Sequence, residues 1–276
     1  MESIMPLAPA EFDFVRRMVA ERAGIVLSST QGYLVESKLN AVVQTTGLHS
    51  IEELMTDLRR GASSRLRERV AEAMTINETS FFRDIHPFDA LRSAIIPAIV
   101  AARKSERKLS FWCAASSSGQ EPYSIAIILA EHFPELADWN VKILATDLSD
   151  EMLVRSREGI YTQFEVDRGL PVRLLVKYFD RKGTDWQVRE PLRKMIEFRK
   201  LNLTMPWPTL PDFDFVSIRN VLIYFDNASK RSIFEHIRTH IRPDGYMLLG
   251  GSETLLGLNV PFVRHEVDKS VFYRPV

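Results

Sequence analysis

A change in pattern near residue 109 limits how this chain can fold more than any other feature of its sequence. Before it, the apolar residues follow helical spacing and no segment has the pattern of a strand. After it, strand-like and helical segments alternate: LSFWCA, YSIAIILAEHF, VKILATD, DEMLVRSREG, FDFVSI, NASKRSIFEHIRTHI, GYMLLGG and SVFYRPV. Alternating strands and helices favour a mainly parallel sheet with helices on both faces. We therefore predict an α/β domain that follows a small helical domain.

The helical part divides into four short segments with recognisable ends. AEFDFVRRMVAERAG stops at Gly24 and YLVESKLNAVVQTTG stops at Gly47, because glycine often terminates a helix. SIEELMTDLRRG begins with Ser50 as a cap and has Glu53 three residues later, and SSRLRERVAEAM follows it. We predict an all-helical domain over residues 1–75 and the α/β domain over residues 76–276.

A second change of pattern lies inside the α/β part, at about residues 161–200. Here LPVRLLVKYF is followed by the polar turn DRKGTD and by strand-like WQVRE and MIEFRKL. These segments interrupt the alternation of strands and helices. We predict that they form a small inserted β subdomain.

The charge and cysteine counts exclude several classes of protein. Lys and Arg total 36, as do Asp and Glu, so the formal net charge is zero, whereas a general nucleic-acid binder is basic. The one cysteine, Cys113, excludes an intramolecular disulfide and lies in a predicted strand, where we expect it to pack in the core. The start MESIMPLAPAEFDF lacks the pattern of a signal peptide, and no run approaches the roughly 18 apolar residues of a membrane span. We expect a cytoplasmic enzyme or binding protein without membrane insertion.

The turn AASSSGQEP, between the first predicted strand and the next helix, is the strongest candidate for a ligand site. In doubly wound folds, ligands bind beyond the carboxyl ends of the strands. A dinucleotide site needs G-x-G-x-x-G in this turn, and Gly119 is its only glycine. Asp147 ends the next strand, where a carboxylate can bind both ribose hydroxyls of a nucleoside. A nucleoside without a diphosphate points to S-adenosylmethionine.

The acidic residues of this region also have a purely structural interpretation. Ser118 and Glu121 have the spacing of a capping box, with Pro122 in the first helical turn. Asp147 is also placed to cap the helix that begins near Ser149. The residues alone leave both interpretations open, although acidic residues at the ends of consecutive strands favour a ligand site.

Two other features suggest different chemistry on weaker grounds. ASSSG has the outline of a hydrolase nucleophile elbow around Ser117, with His265 as a base, but Ala115 stands where that motif has glycine. His236 and His240 lie four residues apart on a helix, as zinc ligands can, without a neighbouring metal motif. Neither feature outweighs the nucleoside hypothesis.

Six motifs in a fixed order carry a family resemblance. They are NETSFFRD, WCAASSSGQEPYSIA, ILATDLS, LNL at 201–203, IRNVLIYFD and RPDGYMLLGGSE. With these motifs the sequence resembles the CheR family of chemotaxis-receptor methyltransferases over nearly its whole length. The resemblance implies a Rossmann-like S-adenosylmethionine-dependent methyltransferase domain with a helical amino-terminal domain and a β insert. It also implies an enzyme that converts receptor glutamates into methyl esters.

The resemblance assigns residues to the cofactor. Arg83 would pair with the carboxylate of its methionine part, with Glu121 near that part and Asp147 on the ribose. The remaining implied residues line the pocket or flank the adenine and the sulfur: Asn77, Thr79, Asn202, Leu203, Asn220 and Val221. Spacing arguments independently support only Glu121, Asp147 and the cofactor class.

The implied chemistry requires no general base. A glutamate side chain, with a pKa near 4.3, is already an ionised nucleophile at neutral pH. The sulfonium is a good leaving group, so catalysis would come from in-line alignment with water excluded. We therefore assign no catalytic residue and no metal.

Three departures from the family pattern modify this expectation. Gln120 stands where the family often has glutamate, and Gly251 replaces the histidine of GHSE. The insert loop DRKGTDWQVRE is shorter than in members that bind a tethering peptide at the receptor's carboxyl terminus. We expect receptor methylation without such a tether.

A cluster of arginines is the candidate docking surface for the cytoplasmic helical domain of the receptors. The alternative is an ordinary solvated helical face. The helix YLVESKLNAVVQ has Lys38 as its only cation, fewer than in many relatives, so docking would fall to the arginine cluster: Arg59, Arg60, Arg65, Arg67 and Arg69. Nothing in the sequence demands more than a monomer.

Two further classes of function were weighed against the enzyme. A regulatory module would keep the fold without catalysis, but the intact NETSFFR, Asp147 and RNV argue for cofactor binding. A methyltransferase for nucleic acid is disfavoured by the zero net charge, and one for small molecules by the helical domain, which suits a protein substrate better.

Overall fold

The computed structural model describes residues 7–61 and 63–276. Residues 1–6, which begin the segment used for the signal-peptide prediction, and residue 62 lie outside the described residues. Contacts divide the chain into two compact units. The first extends to Ile76 and includes Leu203–Met205 and Tyr224–Ser229, and the second holds Asn77–Asn202, Pro206–Ile223 and Lys230–Val276.

The first unit is helical, as predicted. Its helices are α1 (Pro9–Ala23), α2 (Gly32–Thr46), α3 (Ile51–Arg59) and α4 (Ser64–Ala73). Gly24 and Gly47 end α1 and α2 in the left-handed conformation, with φ of 69° and 76°, which glycine adopts without a steric penalty. Ser50 caps α3 by accepting a hydrogen bond from the backbone N–H of Glu53 at 3.2 Å. The predicted helix ends are therefore confirmed.

Lys38 connects α2 to the end of α4. Its ammonium donates to the backbone carbonyls of Ala73 and Thr75, each at 2.7 Å, where a helix leaves carbonyls without partners. Partial burial lowers the pKa of Lys38. The one cation of α2 is thus used inside the unit.

The second unit contains the strands and the remaining helices. The strands are β1 (Lys108–Ala114), β2 (Asn140–Asp147), β3 (Ile160–Tyr161), β4 (Phe179–Lys182), β5 (Asp185–Val188), β6 (Ile196–Lys200), β7 (Phe213–Ile218), β8 (Ile241–Leu249), β9 (Phe262–Val267) and β10 (Ser270–Pro275). The helices are α5 (His86–Ala90), α6 (Ile96–Ala102), α7 (Gln120–His132), α8 (Asp150–Glu158), α9 (Gln163–Asp167), α10 (Val172–Tyr178), α11 (Glu190–Arg193) and α12 (Asn227–His240, whose first turn belongs to the first unit). A π-helical turn, Leu91–Ile95, joins α5 to α6.

Seven strands form the main sheet in the order β6-β2-β1-β7-β8-β10-β9. Strands β6, β2, β1, β7 and β8 pair in parallel, and β10 runs antiparallel to both of its neighbours. Numbered within the sheet, this is the Rossmann order 3-2-1-4-5-6 with one antiparallel strand added before the last. The strand order reverses between β1 and β7, which places the expected ligand crevice at their carboxyl ends.

The central strands are buried on both faces, as a parallel sheet covered by helices requires. Every residue of β7 is buried, as are Leu109 to Ala114 of β1. Cys113 of β1 is fully buried, and burial is the main cause that raises the pKa of its thiol. The mainly parallel α/β fold and the core position of Cys113 are therefore confirmed.

The insert is smaller than predicted. It contains the three-stranded sheet β3-β5-β4, and β4 and β5 form a hairpin whose turn is Gly183 and Thr184. The segment MIEFRKL, assigned to the insert from the sequence, instead supplies β6, which pairs with β2 at the edge of the main sheet. An edge strand with exposed Glu197 and Lys200 alternates like a hairpin strand, and this alternation produced the wrong assignment.

The helix α10 of the insert is attached to the end of α7 through one carboxylate. Glu131 accepts hydrogen bonds from the Lys177 ammonium at 2.5 Å and from the Tyr178 hydroxyl at 2.6 Å. These two donors lower the pKa of Glu131 to about 2. The carboxylate is therefore ionised throughout the neutral range, and the insert is anchored by charge as well as by packing.

The elements that were not predicted from the sequence include one long helical segment and one strand of the main sheet. The segment His86–Ala102 is helical, and β9 adds an outer strand beside β10. β9 is an edge strand in which charged and apolar side chains mix, so its pattern resembles a loop. Among the described residues, no helix combines the length and the apolar character needed to cross a bilayer.

Candidate functional site

The turn between β1 and α7 is wound tightly at the carboxyl end of the sheet. Ala115, Ser117 and Gly119 all have positive φ, at 55°, 49° and 94°. A Cβ on Gly119 would lie 3.0 Å from the Ser156 hydroxyl and 3.1 Å from the Tyr161 hydroxyl. Glycine is therefore required there, because a side chain would meet both strain and a close contact.

Side chains from outside the turn hold its carbonyl groups. Ser156 of α8 donates to the carbonyl of Ser117 at 2.9 Å, and Tyr161 of β3 donates to the carbonyl of Ser118 at 2.7 Å. The Ser117 hydroxyl itself donates to the carbonyl of Asn77 at 2.7 Å. The turn is thus preformed, with the strain supported by buried hydrogen bonds.

Asp147 joins this turn to the end of the neighbouring strand. Its Oδ2 accepts the backbone N–H of Ser117 at 2.8 Å, and its Oδ1 accepts the backbone N–H of Ser149 at 2.9 Å. Its own carbonyl accepts the N–H of Leu201 at 3.0 Å, one residue before Asn202. The side chain is 6% exposed, so the carboxylate is a buried junction at the carboxyl ends of β1, β2 and β6.

Glu121 lies in the first turn of α7 and is bound by a buried guanidinium. Its Oε2 accepts from Nη1 of Arg219 at 2.9 Å, and the two side chains are 14% and 2% exposed. Arg219 follows directly after β7, so the pair bridges the two strands between which the sheet order reverses. An acidic group near a helix amino terminus is also favoured by the helix dipole.

The segment that contains Arg83 is strained and closely packed. Phe82, Asp84 and Ile85 have positive φ, at 48°, 71° and 50°. The backbone N–H of Phe82 donates to the Ser124 hydroxyl of α7 at 3.0 Å, and Phe81 is fully buried. Arg83 is half-buried, and its Nη1 donates to the carbonyl of Glu78 at 3.0 Å.

The turn that carries Asn220 and Val221 is held by Glu253. Oε2 of this carboxylate accepts the N–H groups of Asn220 at 2.7 Å and Gly250 at 2.8 Å, and Oε1 accepts the N–H of Leu222 at 2.7 Å. Asn220 has φ of 59°. One side chain thus ties the ends of β7 and β8 together.

Gly250 and Gly251 have different roles at this joint. A Cβ on Gly250 would lie 2.7 Å from the Glu253 carboxylate and 2.8 Å from Nδ2 of Asn220, so the close approach needs glycine. Gly251 faces open space, so a Cβ at this position would meet no atom within 4 Å. Gln120 is 2% exposed and accepts from the Ser118 hydroxyl at 2.8 Å, so its neutral amide suits the buried position.

The predicted cofactor-binding residues are distributed unevenly. Contacts link Asn77 to the turn through Ser117, Glu121 to Arg219, and Asp147 to both neighbouring strand ends. The half-buried members of the set that lie in the second unit are Asn77, Thr79, Arg83, Glu121, Asn202, Asn220 and Val221. Leu203 is buried and falls within the first unit, so its place beside the cofactor stays a prediction.

The capping interpretations are wrong for both acidic residues. The helix α7 begins after Gly119 without a side-chain cap, and Ser118 bonds to Gln120 instead. Ser149 itself caps α8 by accepting from the N–H of Met152 at 3.3 Å, whereas Asp147 accepts the N–H of this cap residue and the N–H of Ser117. Neither carboxylate is therefore the side-chain cap of a helix.

The rival chemistries are not supported by the geometry. Ser117 donates to a backbone carbonyl, and His265 lies on β9, the outermost strand of the sheet, against Tyr246. His236 and His240 stack on Trp207, with ring centroids 5.0 and 6.2 Å away. Neither a serine–histidine pair nor a zinc pair is assembled from these residues.

Sequence reasoning missed Arg219 and Glu253, although both lie within the quoted motifs IRNVLIYFD and GGSE. The available signal was a charged residue next to the end of a predicted buried strand. Such a residue must find partners from distant segments, because an unpaired buried charge is costly. Which segments supply those partners follows only from the three-dimensional fold.

The donor set fits S-adenosylmethionine. The Asp147 carboxylate lies at the carboxyl end of β2 and is the type of acceptor that binds ribose hydroxyls in doubly wound folds. The turn of small residues, with one glycine, lets a nucleoside approach without forming a diphosphate cradle. The arginine and carboxylate groups near Glu121 suit the charged amino-acid end of that cofactor.

Glu253 offers a direct test of this architecture. We expect Glu253→Gln to lower the free energy of unfolding by about 1.5–3 kcal/mol, because an amide nitrogen cannot accept the backbone N–H bonds held by the carboxylate. Urea unfolding followed by circular dichroism measures the difference. Glu266→Gln is the control, since Glu266 is exposed on β9 and pairs only with Arg264 among the described ion pairs. Equal stability of both variants would show that the carboxylate does not hold the joint.

Comparisons with known proteins give the family. Residues 10–75 match the CheR methyltransferase all-alpha domain, and residues 77–271 match the CheR methyltransferase SAM-binding domain. The chain is 39% identical to chemotaxis protein methyltransferase 1 of Pseudomonas aeruginosa, over 98% of this chain and 99% of that protein. It is 38% identical to chemotaxis protein methyltransferase Cher2 of Pseudomonas putida, over 96% and 97% of the two chains. With its Rossmann-like sheet and its crevice, the chain belongs to the CheR family of S-adenosylmethionine-dependent methyltransferases.

Proposed function

We propose that this methyltransferase forms methyl esters on glutamate side chains in the cytoplasmic helical domain of chemotaxis receptors. The observation that supports it most is the junction at Asp147, where a buried carboxylate is presented beside the turn at Gly119. The relatives named above are chemotaxis methyltransferases, which supplies the substrate class. We further propose that the protein acts in the cytoplasm as a monomer.

In this proposal the residues of the chain bind and orient rather than exchange protons. Asp147 holds the ribose hydroxyls, while Glu121 and Arg83 bracket the amino-acid end of the cofactor. Asn77 and Thr79 line the pocket. Four further residues flank the adenine and the sulfur: Asn202, Leu203, Asn220 and Val221. When bound, S-adenosylmethionine supplies a methyl group on a sulfonium, which a carboxylate attacks without prior deprotonation.

The carboxylates of the site are held in place by hydrogen bonds, which agrees with a role in binding and orientation. Asp147 is engaged by two backbone N–H groups, and Glu121 by the guanidinium of Arg219. A receptor glutamate arrives ionised, since its ordinary pKa is near 4.3. Rate acceleration then depends on alignment and on exclusion of water.

Methyl transfer to a purified receptor cytoplasmic fragment tests the proposed function. With methyl-labelled S-adenosylmethionine, we expect label on glutamates of the fragment that is released by mild base, as an ester requires. Asp147→Asn should lower kcat/KM by about 10- to 100-fold, the loss expected for one charged hydrogen-bonding group. Asp138→Asn, in an exposed ion pair with Arg107, is the control. Base-stable label, or no label on the fragment from a folded enzyme, would contradict the proposal.

The insert supports methylation without a receptor tether. A tethering peptide could add to an open sheet edge, and β4 is an edge strand of the insert sheet. This strand has only four residues, and three of them, Asp180, Arg181 and Lys182, are charged and exposed. Short, charged edge strands disfavour the pairing of a further strand.

A calorimetric titration with a receptor carboxyl-terminal pentapeptide tests this point. We expect no saturable heat at peptide concentrations up to the millimolar range, because the edge offers too few backbone groups. Fusing the same pentapeptide to the receptor fragment should leave its methylation rate unchanged. A saturable titration, or faster methylation of the fused fragment, would contradict tether independence.

The arginine cluster supplies the proposed docking surface, but its members are not equivalent. Arg59 forms an ion pair with a glutamate at 3.9 Å, and Arg67 and Arg69 donate to backbone carbonyls at 3.0 and 3.1 Å. Arg60 and Arg65 are exposed and have no side-chain partner among residues 7–61 and 63–276. These two are therefore best placed to meet an acidic receptor surface.

Charge reversal separates docking from cofactor binding. We expect the double variant Arg60→Glu, Arg65→Glu to raise KM for the receptor fragment several-fold, because attraction to an acidic surface is lost. The KM of this variant should also depend less on salt concentration than that of the wild type. The affinity for S-adenosylhomocysteine should not change. The matched control is Lys104→Glu with Lys108→Glu, two exposed lysines at the amino-terminal edge of the main sheet. If both double variants change KM equally, docking does not use the cluster.

A further inference from the structure

Arg219 connects three segments of the crevice that are far apart in sequence. Its Nη1 donates to Glu121 at 2.9 Å, while its Nη2 donates to the Asp84 carboxylate at 2.7 Å and to the Arg83 carbonyl at 3.0 Å. Its guanidinium carbon lies 5.6 Å from the ring centroid of Phe88. A side chain that is 2% exposed and shared by two carboxylates and a carbonyl is a junction, not a surface charge.

The segment that Arg219 holds is strained. Phe82, Asp84 and Ile85 all have positive φ, a conformation that residues other than glycine keep only where their surroundings impose it. Arg219 binds both the backbone and a side chain of this turn. The direction of the Arg83 side chain, which leaves the chain within the turn, therefore depends on this guanidinium.

The same guanidinium also orients Glu121. Oε2 of that carboxylate is the atom that Arg219 binds, which fixes the plane of the carboxylate and the direction of Oε1. An ammonium group and a carboxylate group together form the amino-acid end of S-adenosylmethionine. Glu121 suits the former and Arg83 the latter, and both are anchored by Arg219.

We propose that Arg219 is a positioning residue for the amino-acid end of the cofactor. It holds Glu121 and Arg83 in the arrangement that selects ligands carrying that zwitterion, and this inference rests on the proposed placement of those two residues. The nucleoside end is held separately, by the junction at Asp147. The two halves of the ligand are therefore recognised by independent parts of the crevice.

A second buried arginine provides a matched comparison. Arg103 donates to Asp214 at 2.6 Å and binds Asp244 with both of its terminal nitrogens, the closer contact being with Oδ1. Its side chain is 8% exposed, and these partners lie within the amino-terminal halves of β7 and β8. It shares the chemistry of Arg219 without lying at the crevice.

The experiment compares two ligands that share the nucleoside and the sulfur. S-adenosylhomocysteine carries the amino-acid end, and 5′-methylthioadenosine lacks it. By calorimetry, we expect Arg219→Lys to weaken the affinity for S-adenosylhomocysteine by about 10-fold or more, and the affinity for methylthioadenosine by less than about 2-fold. The reason is that a lysine cannot bind three acceptors in a fixed fork. Arg103→Lys should leave the ratio of the two affinities unchanged even if it lowers the melting temperature.

Each outcome separates the inference from the proposed function. If Arg219→Lys lowers the affinity for both ligands equally, or lowers the affinity for neither, the positioning role is overturned. Failure of the wild-type protein to bind either ligand would instead overturn the placement of the cofactor. If Arg219→Lys does not fold, Asp84→Asn is used in its place. This substitution alters one partner of Arg219 at a half-exposed position, so the variant should still fold. It should reduce S-adenosylhomocysteine affinity alone, by a smaller factor, and an equal effect on both ligands would overturn the role.

Discussion

The carboxylate of Asp147 ties the turn after β1 to the turn after β2, and the geometry of the crevice depends on this contact. Because the two strands are parallel neighbours, their carboxyl ends meet at one edge, where backbone N–H groups lack ladder partners. Asp147 satisfies the N–H groups of Ser117 and Ser149 there. A buried carboxylate is stable only with such donors, so these contacts fix the acidic group at the carboxyl ends of β1 and β2, where we propose that the ligand binds.

Charged side chains also hold two other segments at this edge. Glu253 gathers three backbone N–H groups around Asn220, and Arg219 binds the strained segment that contains Arg83. Positive φ values cluster at these turns rather than along the helices or strands. The strain is local and is supported by buried ionic contacts, which gives a binding surface that is largely formed before the ligand arrives.

The features that could be predicted from the sequence are those that depend on hydrophobic periodicity or on single residues. The alternation after residue 109 predicted the parallel sheet, and Gly24 and Gly47 marked the helix ends that the structure shows. The family resemblance brought in Arg83 and Asn220, whose strained or turned backbones no propensity would indicate. β6 was assigned to the wrong sheet, because an edge strand that follows a hairpin shows the same alternation as the hairpin itself.

The remaining features depend on contacts between distant segments. The spacing of Ser118 and Glu121 satisfied the rule for a capping box, but the left-handed Gly119 moved the start of α7 and left Glu121 for Arg219. The partners of Arg219 lie 98 and 135 residues away along the chain, which no local pattern encodes. Local rules therefore predicted the elements, while the fold determined which charged groups meet at the crevice.

We infer that this crevice binds a nucleoside with a charged amino-acid end and no diphosphate. The most direct measurement is calorimetric titration of the purified protein with S-adenosylhomocysteine and, separately, with NAD. Saturable binding of S-adenosylhomocysteine, weakened by Asp147→Asn, together with no binding of NAD is the predicted result. Binding of NAD, or no binding of S-adenosylhomocysteine by a folded protein, would contradict it.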